Sequence, residues 1–454
     1  MRRVAFITLG CKVNQYETNA MAQEFIEKGY KIVEHTEVAD IYVINTCTVT
    51  NMSDRKSRQM LRRVKELNKE AIIVACGCYV QVAKEEVEKI EEVDLILGNN
   101  EKKNIVELVE KFQNEKIGKE KKSELEEVED VMHKKDFVEF GNVVYTEKTR
   151  AVIKVQDGCD RFCSYCIIPY ARGRVRSRKP ENVISEIEKI SKKGIKEVVI
   201  TGIHIASYGK DFKEEYRLID LLEEINKIDG IERIELGSIE PLLITEEFVK
   251  RLKKLEKICH HFHLSLQSGC NETLKRMNRR YSIEEFRKIV QLLRKNYEDV
   301  NLTTDIIVGF PGETEEEFQK TYEFLKEIKF YKMHIFKYSQ RKGTKAAVMS
   351  GQIDGNKKEE RSRKLIELSD KNEEEYNKKY IGKEVEVLWE EEKEGFYKGH
   401  TKNYILAYLK VDNDKEKYGN NEIKKEGERE KKLENTIKKA KCIEAKKDHI
   451  LVQL

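Results

Sequence analysis

The stretch Cys159-Asp160-Arg161-Phe162-Cys163-Ser164-Tyr165-Cys166 most constrains what this chain can be. Three thiols separated by three and then two residues can reach one small iron-sulfur cluster from a single loop, because a turn of that length points every sulfur inward. A cubane held by three cysteines leaves one iron without a protein ligand, and an open coordination position is where a substrate or cofactor binds. A structural zinc knuckle would close with a fourth Cys or His at short spacing, and none follows. The loop therefore reads as catalytic.

A second set of cysteines emerges from the pattern of the first hundred residues. Short apolar runs predict strands at Val4 to Leu9, Lys31 to Val33, Ile41 to Asn45, Ile72 to Ala75 and Asp94 to Leu97. Helical periodicity fits Glu17 to Lys28, Ser53 to Leu67 (with Ser53 as N-cap) and Lys102 to Phe112. Such alternation predicts an α/β domain, a doubly wound parallel sheet. Cys11, Cys47 and Cys78 each follow a strand, and ligand sites in such folds gather outside the carboxyl ends of the strands. Each alone reads as an ordinary buried cysteine. Together, with Gly10 and Gly77 letting the backbone approach, they read as a second three-thiolate site; Cys76 reads as a small core residue, with a swap for Cys78 as the alternative.

Length and composition agree with metal chemistry rather than a disulfide scaffold. Ten cysteines in 454 residues are sparse, and their clustering suits a reducing compartment, which places the protein in the cytoplasm. Charged residues reach 37% but nearly balance, so a nucleic-acid partner would be met by local basic patches. The basic-then-apolar start is interrupted from Lys12 onward and reads as a first strand, not a signal peptide; no run approaches the ~20 apolar residues of a membrane span.

Residues 114–150 turn into mixed Lys and Glu and read as a charged linker after a domain of residues 1–113. Residues 151–379 contain a second alternation. Strands are predicted at Ala151 to Val155, Glu197 to Thr201, Arg233 to Gly237, His261 to Leu266, Leu302 to Val308 and Met333 to Lys337. One intervening helix opens at Pro180, and a long charged helix over Gln352 to Lys379 closes the unit. Six such units make a partial (β/α)6 barrel with its site at the strand carboxyl ends, where the cysteine loop lies. Residues 380–454 change to β pattern, with strands at Val385 to Glu390, Phe396 to Thr401, Tyr404 to Val411 and Lys439 to Gln453, and a charged insert from Asp412 to Asn435. They predict a small β-barrel. Cys259, Cys270 and Cys442 have no partners at ligand spacing and read as structural; no P-loop or Ser/His/Asp order is visible.

The cysteine loop resembles the signature of the radical S-adenosylmethionine (SAM) superfamily. The run from Gly158 through Ile167-Ile168-Pro169-Tyr170-Ala171-Arg172-Gly173 to Ser177-Arg178 is similar to the methylthiotransferases within it. So are Thr8-Leu9-Gly10-Cys11-Lys12-Val13-Asn14-Gln15-Tyr16-Glu17, Asn45-Thr46-Cys47-Thr48-Val49-Thr50 and Gly77-Cys78-Tyr79-Val80-Gln81. The first of these is closest to the bacterial branch that acts on N6-threonylcarbamoyladenosine in tRNA. The carboxyl-terminal portion resembles, more loosely, the TRAM domain, an RNA-binding module.

The resemblance implies two [4Fe-4S] clusters and SAM. The cluster on Cys159, Cys163 and Cys166 would bind SAM and cleave it reductively to a 5′-deoxyadenosyl radical. An auxiliary cluster on Cys11, Cys47 and Cys78 would carry the sulfur, methylated by a second SAM, and the methylthio group would go to C2 of the adenine at position 37. Gly202 (in Thr201-Gly202-Ile203), Ser265, Gln267, Ser268, Asp305 and Ile307 are the implied SAM contacts, although Gly at a strand end and Ile307 taken alone read as turn and core. Arg172, Arg174, Arg176 and Arg178 alternate, so an extended segment would line them on one face; Arg172 and Arg178 are candidates for phosphate or the SAM carboxylate. Arg55, Arg58, Arg62 and Lys65 form a basic helical face, and Tyr397, His400, Lys402, Asn403 and Tyr404 are candidate RNA contacts. The implied partners are a tRNA anticodon loop, a reductase or flavodoxin/ferredoxin-type electron donor and a sulfur donor, with no membrane. The rival readings are the sibling reactions on isopentenyladenosine or a ribosomal protein, and a non-enzymatic Fe-S sensor or RNA-binding protein.

Overall fold

The computed structural model of the chain describes residues 2–116, 125–146, 149–411 and 433–454. Six parallel strands form the first sheet: β1 (Arg3–Thr8), β2 (Lys31–Val33), β3 (Ile41–Thr46), β4 (Ile72–Gly77), β5 (Leu95–Leu97) and β6 (Leu125–Glu127), in the order β2-β1-β3-β4-β5-β6. β3 and β4 are buried along their whole length, because helices cover both faces. One face packs Tyr42, Ile44 and Ile73 and the other Phe25, Val43 and Val74, with Cys76 in the second core. The strand order reverses direction between β1 and β3, so the crevice between their carboxyl ends is the switch point of this sheet. Cys11 and Cys47 stand at that crevice and Cys78 one strand further.

Helix Lys12–Glu27 begins directly after Cys11, five residues earlier than its apolar pattern suggests, because Asn14 and Glu17 are buried polar residues on its inner face. Helix Asn51–Arg63 is capped by Thr50, whose hydroxyl accepts the Ser53 N–H, rather than by Ser53.

The second unit contains β7 (Arg150–Asp157), a short antiparallel β8 (Arg176–Ser177), β9 (Glu197–Gly202), β10 (Arg233–Leu236), β11 (His261–Gln267), β12 (Asn301–Val308) and β13 (Lys332–Lys337). Hydrogen bonding divides them into arcs β10-β9-β7-β8 and β11-β12-β13, linked by bridges Ile234–Ile258 and Ile239–Leu264. The six long strands follow one another in chain order around an open barrel, with one continuous core beneath their helices. Helix Pro180–Lys192 starts with proline in its first turn, as expected. Helix Gly355–Lys378 braces the last strand, where Ser369 accepts the Met333 N–H at 2.9 Å and Glu373 holds Lys332 at 2.9 Å.

The third unit is a closed barrel, β14-β15-β16-β18-β17, from β14 (Glu384–Lys393), β15 (Phe396–Thr401), β16 (Leu406–Lys410), β17 (Thr436–Ala445) and β18 (Ile450–Gln453). The run expected as one strand over 439–453 is two, turned at 446–449, where the Lys446 N–H returns to the His449 carbonyl. Most of the insert expected from Asp412 to Asn435 lies outside the described residues.

The segment expected as a linker does more than connect. It supplies the edge strand Leu125–Glu127, buries Val131 and Val143, and donates the Val143 N–H to Glu186 at 2.8 Å and the Val144 N–H to Gln23 at 2.8 Å. Its mixed charge pairs with buried partners, Glu139 with Arg178 at 2.6 Å among them, which composition alone does not reveal.

Candidate functional site

The first unit caps the mouth of the open barrel. Arg341, after β13, reaches across to Asp54, Asn51 and Thr48, each at 2.6 Å, and Asn99 donates to the Ala171 carbonyl at 2.8 Å. Between the units lies a cavity of about 1010 Å³. Cys11 lines it from the first unit, and Cys159, Cys163 and Cys166 line it from the loop after β7.

The loop is shaped by its backbone. The Cys166 N–H closes a turn onto the Cys163 carbonyl at 3.0 Å, and Phe162 sits at φ 46°, which turns the thiols to one side. The Arg161 N–H lies 3.5 Å from Cys159 Sγ and Arg279 Nη1 3.5 Å from Cys163 Sγ. Burial pushes the Cys159 thiol up to about 11 and the Cys166 thiol to about 12. Thiols so placed are poor free nucleophiles, and a metal centre is the partner that deprotonates them. No fourth sulfur or imidazole joins them among the described residues lining the loop, so the donor set suits a cubane with one open iron.

Cys11, Cys47 and Cys78 converge at the facing edge. Gly10 has φ +100° and a side chain there would meet Cys47 Sγ at 2.8 Å, so only glycine lets Cys47 in beside Cys11. Burial pushes the Cys47 thiol up to about 11, and charge on Cys78 and Cys11 would raise it further, an electrostatic sign of their nearness. Two helices, Lys12–Glu27 and Asn51–Arg63, aim their amino ends at the edge, an arrangement that favours negative charge. Cys76, one residue before the Gly77 turn, points into the core instead.

Behind Cys78 sits a buried ion network that sequence reasoning missed. Arg172, at the end of the short helix Ile168–Arg172, donates from Nε to Cys78 Sγ at 3.2 Å, from Nη2 to Asn14 at 2.5 Å, and from Nη1 to Glu17. Lys102 and Lys154 hold Glu17 at 2.6 and 2.7 Å, and Lys154 holds Asp157 at 2.6 Å, with Arg176 3.6 Å away. Burial alone would raise the Glu17 carboxyl, but Arg172, Lys102 and Lys154 overcome it and hold it well below the usual carboxylate range. Four cations surround two carboxylates here, and the positive surplus next to Cys78 matches an anionic iron-sulfur centre. The available signal was Asn14 and Glu17, polar at i and i+3 on a helix.

The strand-end candidates divide. Gly202, Ser265, Gln267, Asp305 and Ile307 all line the cavity, as does Ile203. Gly202 is required because a side chain there would strike the Gln156 carbonyl at 2.9 Å, and Gln267 adopts φ 72° at the end of β11. Ser268 turns away to bond Thr321 at 3.2 Å. The arginine ladder is not a ladder: Pro169 starts a helical turn that breaks the extended pattern. Arg172 faces Cys78, Arg174 is exposed beside Asp160, and Arg178 is buried against Glu139 and Glu186, so neither Arg172 nor Arg178 lines the cavity where SAM was expected.

On helix Asn51–Arg63, Arg55 and Arg62 are exposed while Arg58 binds Tyr79; Lys65, in the turn Val64–Glu66 beyond the helix, binds Asp94. Three of the five expected RNA contacts dock the small barrel on its neighbour, and a fourth, His400, is paired inside the small barrel. Tyr404 stacks on His261 with centroids 5.1 Å apart and donates to Glu197; His400 pairs with Glu390; Lys402 donates to the Glu256 carbonyl at 2.5 Å; and Asn403 donates to the Asp299 carbonyl at 2.9 Å.

Comparison with known proteins places this arrangement. Residues 153–325 match the Radical SAM superfamily and residues 3–98 match the Uncharacterized protein family UPF0004. The chain is 42% identical over 416 residues to the threonylcarbamoyladenosine tRNA methylthiotransferase MtaB of Bacillus subtilis, covering 90% of this chain and 91% of that one. It is 43% identical to the protein of the same name from Aquifex aeolicus, over 89% of this chain and 95% of that one. It is 38% identical to the tRNA-2-methylthio-N(6)-dimethylallyladenosine synthase of a Thermoanaerobacter species, over 84% of this chain and 81% of that one. Among solved structures, the radical S-adenosylmethionine methyltransferase TsrM of Kitasatospora setae, with cobalamin and a [4Fe-4S] cluster bound, shares the fold at TM-score 0.55 and 16% identity, over 76% of this chain and 74% of that one.

Proposed function

The chain belongs to the radical SAM methylthiotransferase family, and from that premise we propose that it adds a methylthio group to C2 of N6-threonylcarbamoyladenosine at position 37 of tRNA. The observation that carries this reading is that two cysteine trios sit on two separate units, with Cys11 of one and Cys159, Cys163 and Cys166 of the other lining the same cavity. Relatives named for the threonylcarbamoyl substrate match at 42% and 43% identity, against 38% for one named for the dimethylallyl substrate.

In this reading Cys159, Cys163 and Cys166 hold the SAM-binding [4Fe-4S] cluster and Cys11, Cys47 and Cys78 the auxiliary one. The bound groups supply the chemistry: reductive cleavage of SAM to a 5′-deoxyadenosyl radical, and sulfur for transfer. The chain's own residues position it. Gly202 keeps backbone open at the cavity wall, Ser265 and Gln267 offer polar groups, and Asp305, 3.3 Å from His263, and Ile307 line the opposite side. Arg279 tethers the β11 end to the cysteine loop, donating to the Ser265 carbonyl at 2.9 Å. The cap formed by the first unit covers one side of the cavity, which limits the access of bulk water to a reactive radical.

The division of labour follows the proposed domain limits: residues 1–113 carry the auxiliary site, 114–150 bridge, 151–379 bind SAM, and 380–454 grip RNA. Because the 400–404 corner is docked, the grip falls to the outer face of the small barrel, where β17 exposes Lys438 and Lys441. An electron donor of the flavodoxin or ferredoxin type, a sulfur donor and a cytoplasmic setting complete the reading; none of the ten cysteines is joined in a disulfide.

Iron and sulfide analysis of anaerobically purified protein tests it, with about eight irons per chain expected and about four when either trio is replaced by alanine. Mass spectrometry of tRNA nucleosides and of ribosomal proteins from a deletion strain tests the substrate. Loss of 2-methylthio-N6-threonylcarbamoyladenosine is expected, and loss of the isopentenyl or the ribosomal-protein product instead would overturn it.

A further inference from the structure

The lysines and arginines that line the cavity are, with one exception, already paired. Arg161 and Arg279 face Glu240 at 3.9 and 3.2 Å, Lys332 holds Glu373 at 2.9 Å, and Lys337 holds Glu359 at 2.6 Å. Lys12 lines the same cavity, and among the described residues its ammonium makes no ion pair or hydrogen bond. Glu235, which shares the cavity, is engaged by His261 at 2.6 Å. Lys12 is exposed to the cavity, and an ammonium there with no protein partner is available to an anion that enters.

Its place in the chain narrows the anion. Lys12 directly follows Cys11 and opens the helix Lys12–Glu27, so the ammonium and the Cys11 sulfur leave one point of the cavity wall. On an adenine, C2 and the N6 substituent flank the same ring nitrogen, N1. A base presented with C2 toward Cys11 therefore turns its N6 substituent toward the same wall. In the proposed substrate that substituent ends in a threonine, which carries a free carboxylate and a hydroxyl. An isopentenyl group offers the ammonium no partner, so the charge-assisted hydrogen bond open to the threonyl carboxylate is not made.

We propose that Lys12 binds the carboxylate of the threonylcarbamoyl group and selects the substrate by it. The assignment rests on the function proposed above and adds the residue that reads the modification. A phosphate of the RNA or the carboxylate of SAM is the other anion such a lysine meets, and the test separates these by changing the threonyl carboxylate alone.

Anaerobic binding of the two-cluster enzyme to an anticodon stem-loop RNA is measured with the threonylcarbamoyl group as the free acid and as its methyl ester. The wild type is expected to bind the acid about tenfold or more tighter than the ester. Lys12→Met is expected to bind both at the ester's level, and Lys12→Arg to restore the preference, each with iron content unchanged. Equal binding of acid and ester by the wild type overturns the proposal whether or not the variants fold. Should the wild type prefer the acid yet form no 2-methylthio product with SAM and reductant, the assigned reaction falls and the carboxylate site stands.

Discussion

Arg172 Nε lies 3.2 Å from Cys78 Sγ although one belongs to the open barrel and the other to the unit that caps it. The guanidinium is wholly buried and also serves Glu17 and Asn14, so it couples docking of the two units to the auxiliary thiols. Replacing Arg172 with Gln removes one positive charge beside that site. The reduction potential of the auxiliary cluster is expected to fall, because the reduced form carries more negative charge, and an EPR-monitored redox titration reads it. Loss of the buried pair with Glu17 is expected to cost about 3–5 kcal/mol of stability in chemical denaturation. An unchanged potential would mean that Arg172 only holds the units together.

Cys76 and Cys78 are two residues apart and have opposite duties. Cys76 lies in the core formed by Phe25, Val43 and Val74, with its carbonyl accepting the Thr46 hydroxyl at 2.6 Å, while the turn at Gly77 brings Cys78 to the edge. Cys76→Ala is expected to keep about eight irons and lose about 1 kcal/mol of stability. Cys78→Ala is expected to keep about four irons. Iron loss in Cys76→Ala would make it the ligand.

These contrasts explain how far the chain could be read unaided. Strand positions, the six-unit barrel and the two cysteine trios follow from period, spacing and glycine placement, all local properties. The errors fall where a side chain's partner is distant in sequence. Arg178 looked like a ligand-facing cation because Glu139 and Glu186, its true partners, lie in segments that local pattern does not connect to it. His400 and Tyr404 looked like an RNA-binding corner because aromatic and basic residues on a small barrel serve either purpose, and only docking against Glu197 and His261 decides between them. Lys12 was visible as a letter in a motif, but its unpaired state is a property of the whole cavity wall.

Tyr404 is the pivot of that docking. Its ring lies nearly parallel to His261, at 14°, with the Arg150 guanidinium 5.4 Å from its centroid, and its hydroxyl donates to Glu197. Tyr404→Ala removes the stack and leaves Arg150 and Glu197 around a hole, so a loss of about 3–5 kcal/mol is expected. Limited proteolysis near residues 379–383, between the bracing helix and β14, is expected to speed up, while Tyr404→Phe loses only the hydroxyl's share. Equal proteolysis of wild type and Tyr404→Ala would place the docking energy elsewhere.

Glu197 gives the same interface a pH dependence. Burial pushes its carboxyl from 4.5 up to about 7, outweighing the opposing pull of Arg150, the Tyr404 hydroxyl and Arg233. Below pH 4.5 both folded and unfolded chains carry the proton, and the contribution of this group to stability is fully present. Between 4.5 and about 7 the unfolded chain releases the proton while the folded chain still holds it, so stability declines as pH rises, and above about 7 the loss is complete. The decline from this one group is on the order of 3 kcal/mol. Glu197→Gln, uncharged at every pH, is expected to flatten that part of the profile and to exceed the wild type in stability at pH 8. The single tryptophan, Trp389, is buried in β14 next to Glu390, the partner of Arg150 at 3.1 Å, so its fluorescence reports unfolding of the docked barrel. Parallel profiles for Glu197→Gln and wild type would show that the carboxyl is ionised throughout, held by Arg150 as an ordinary buried ion pair.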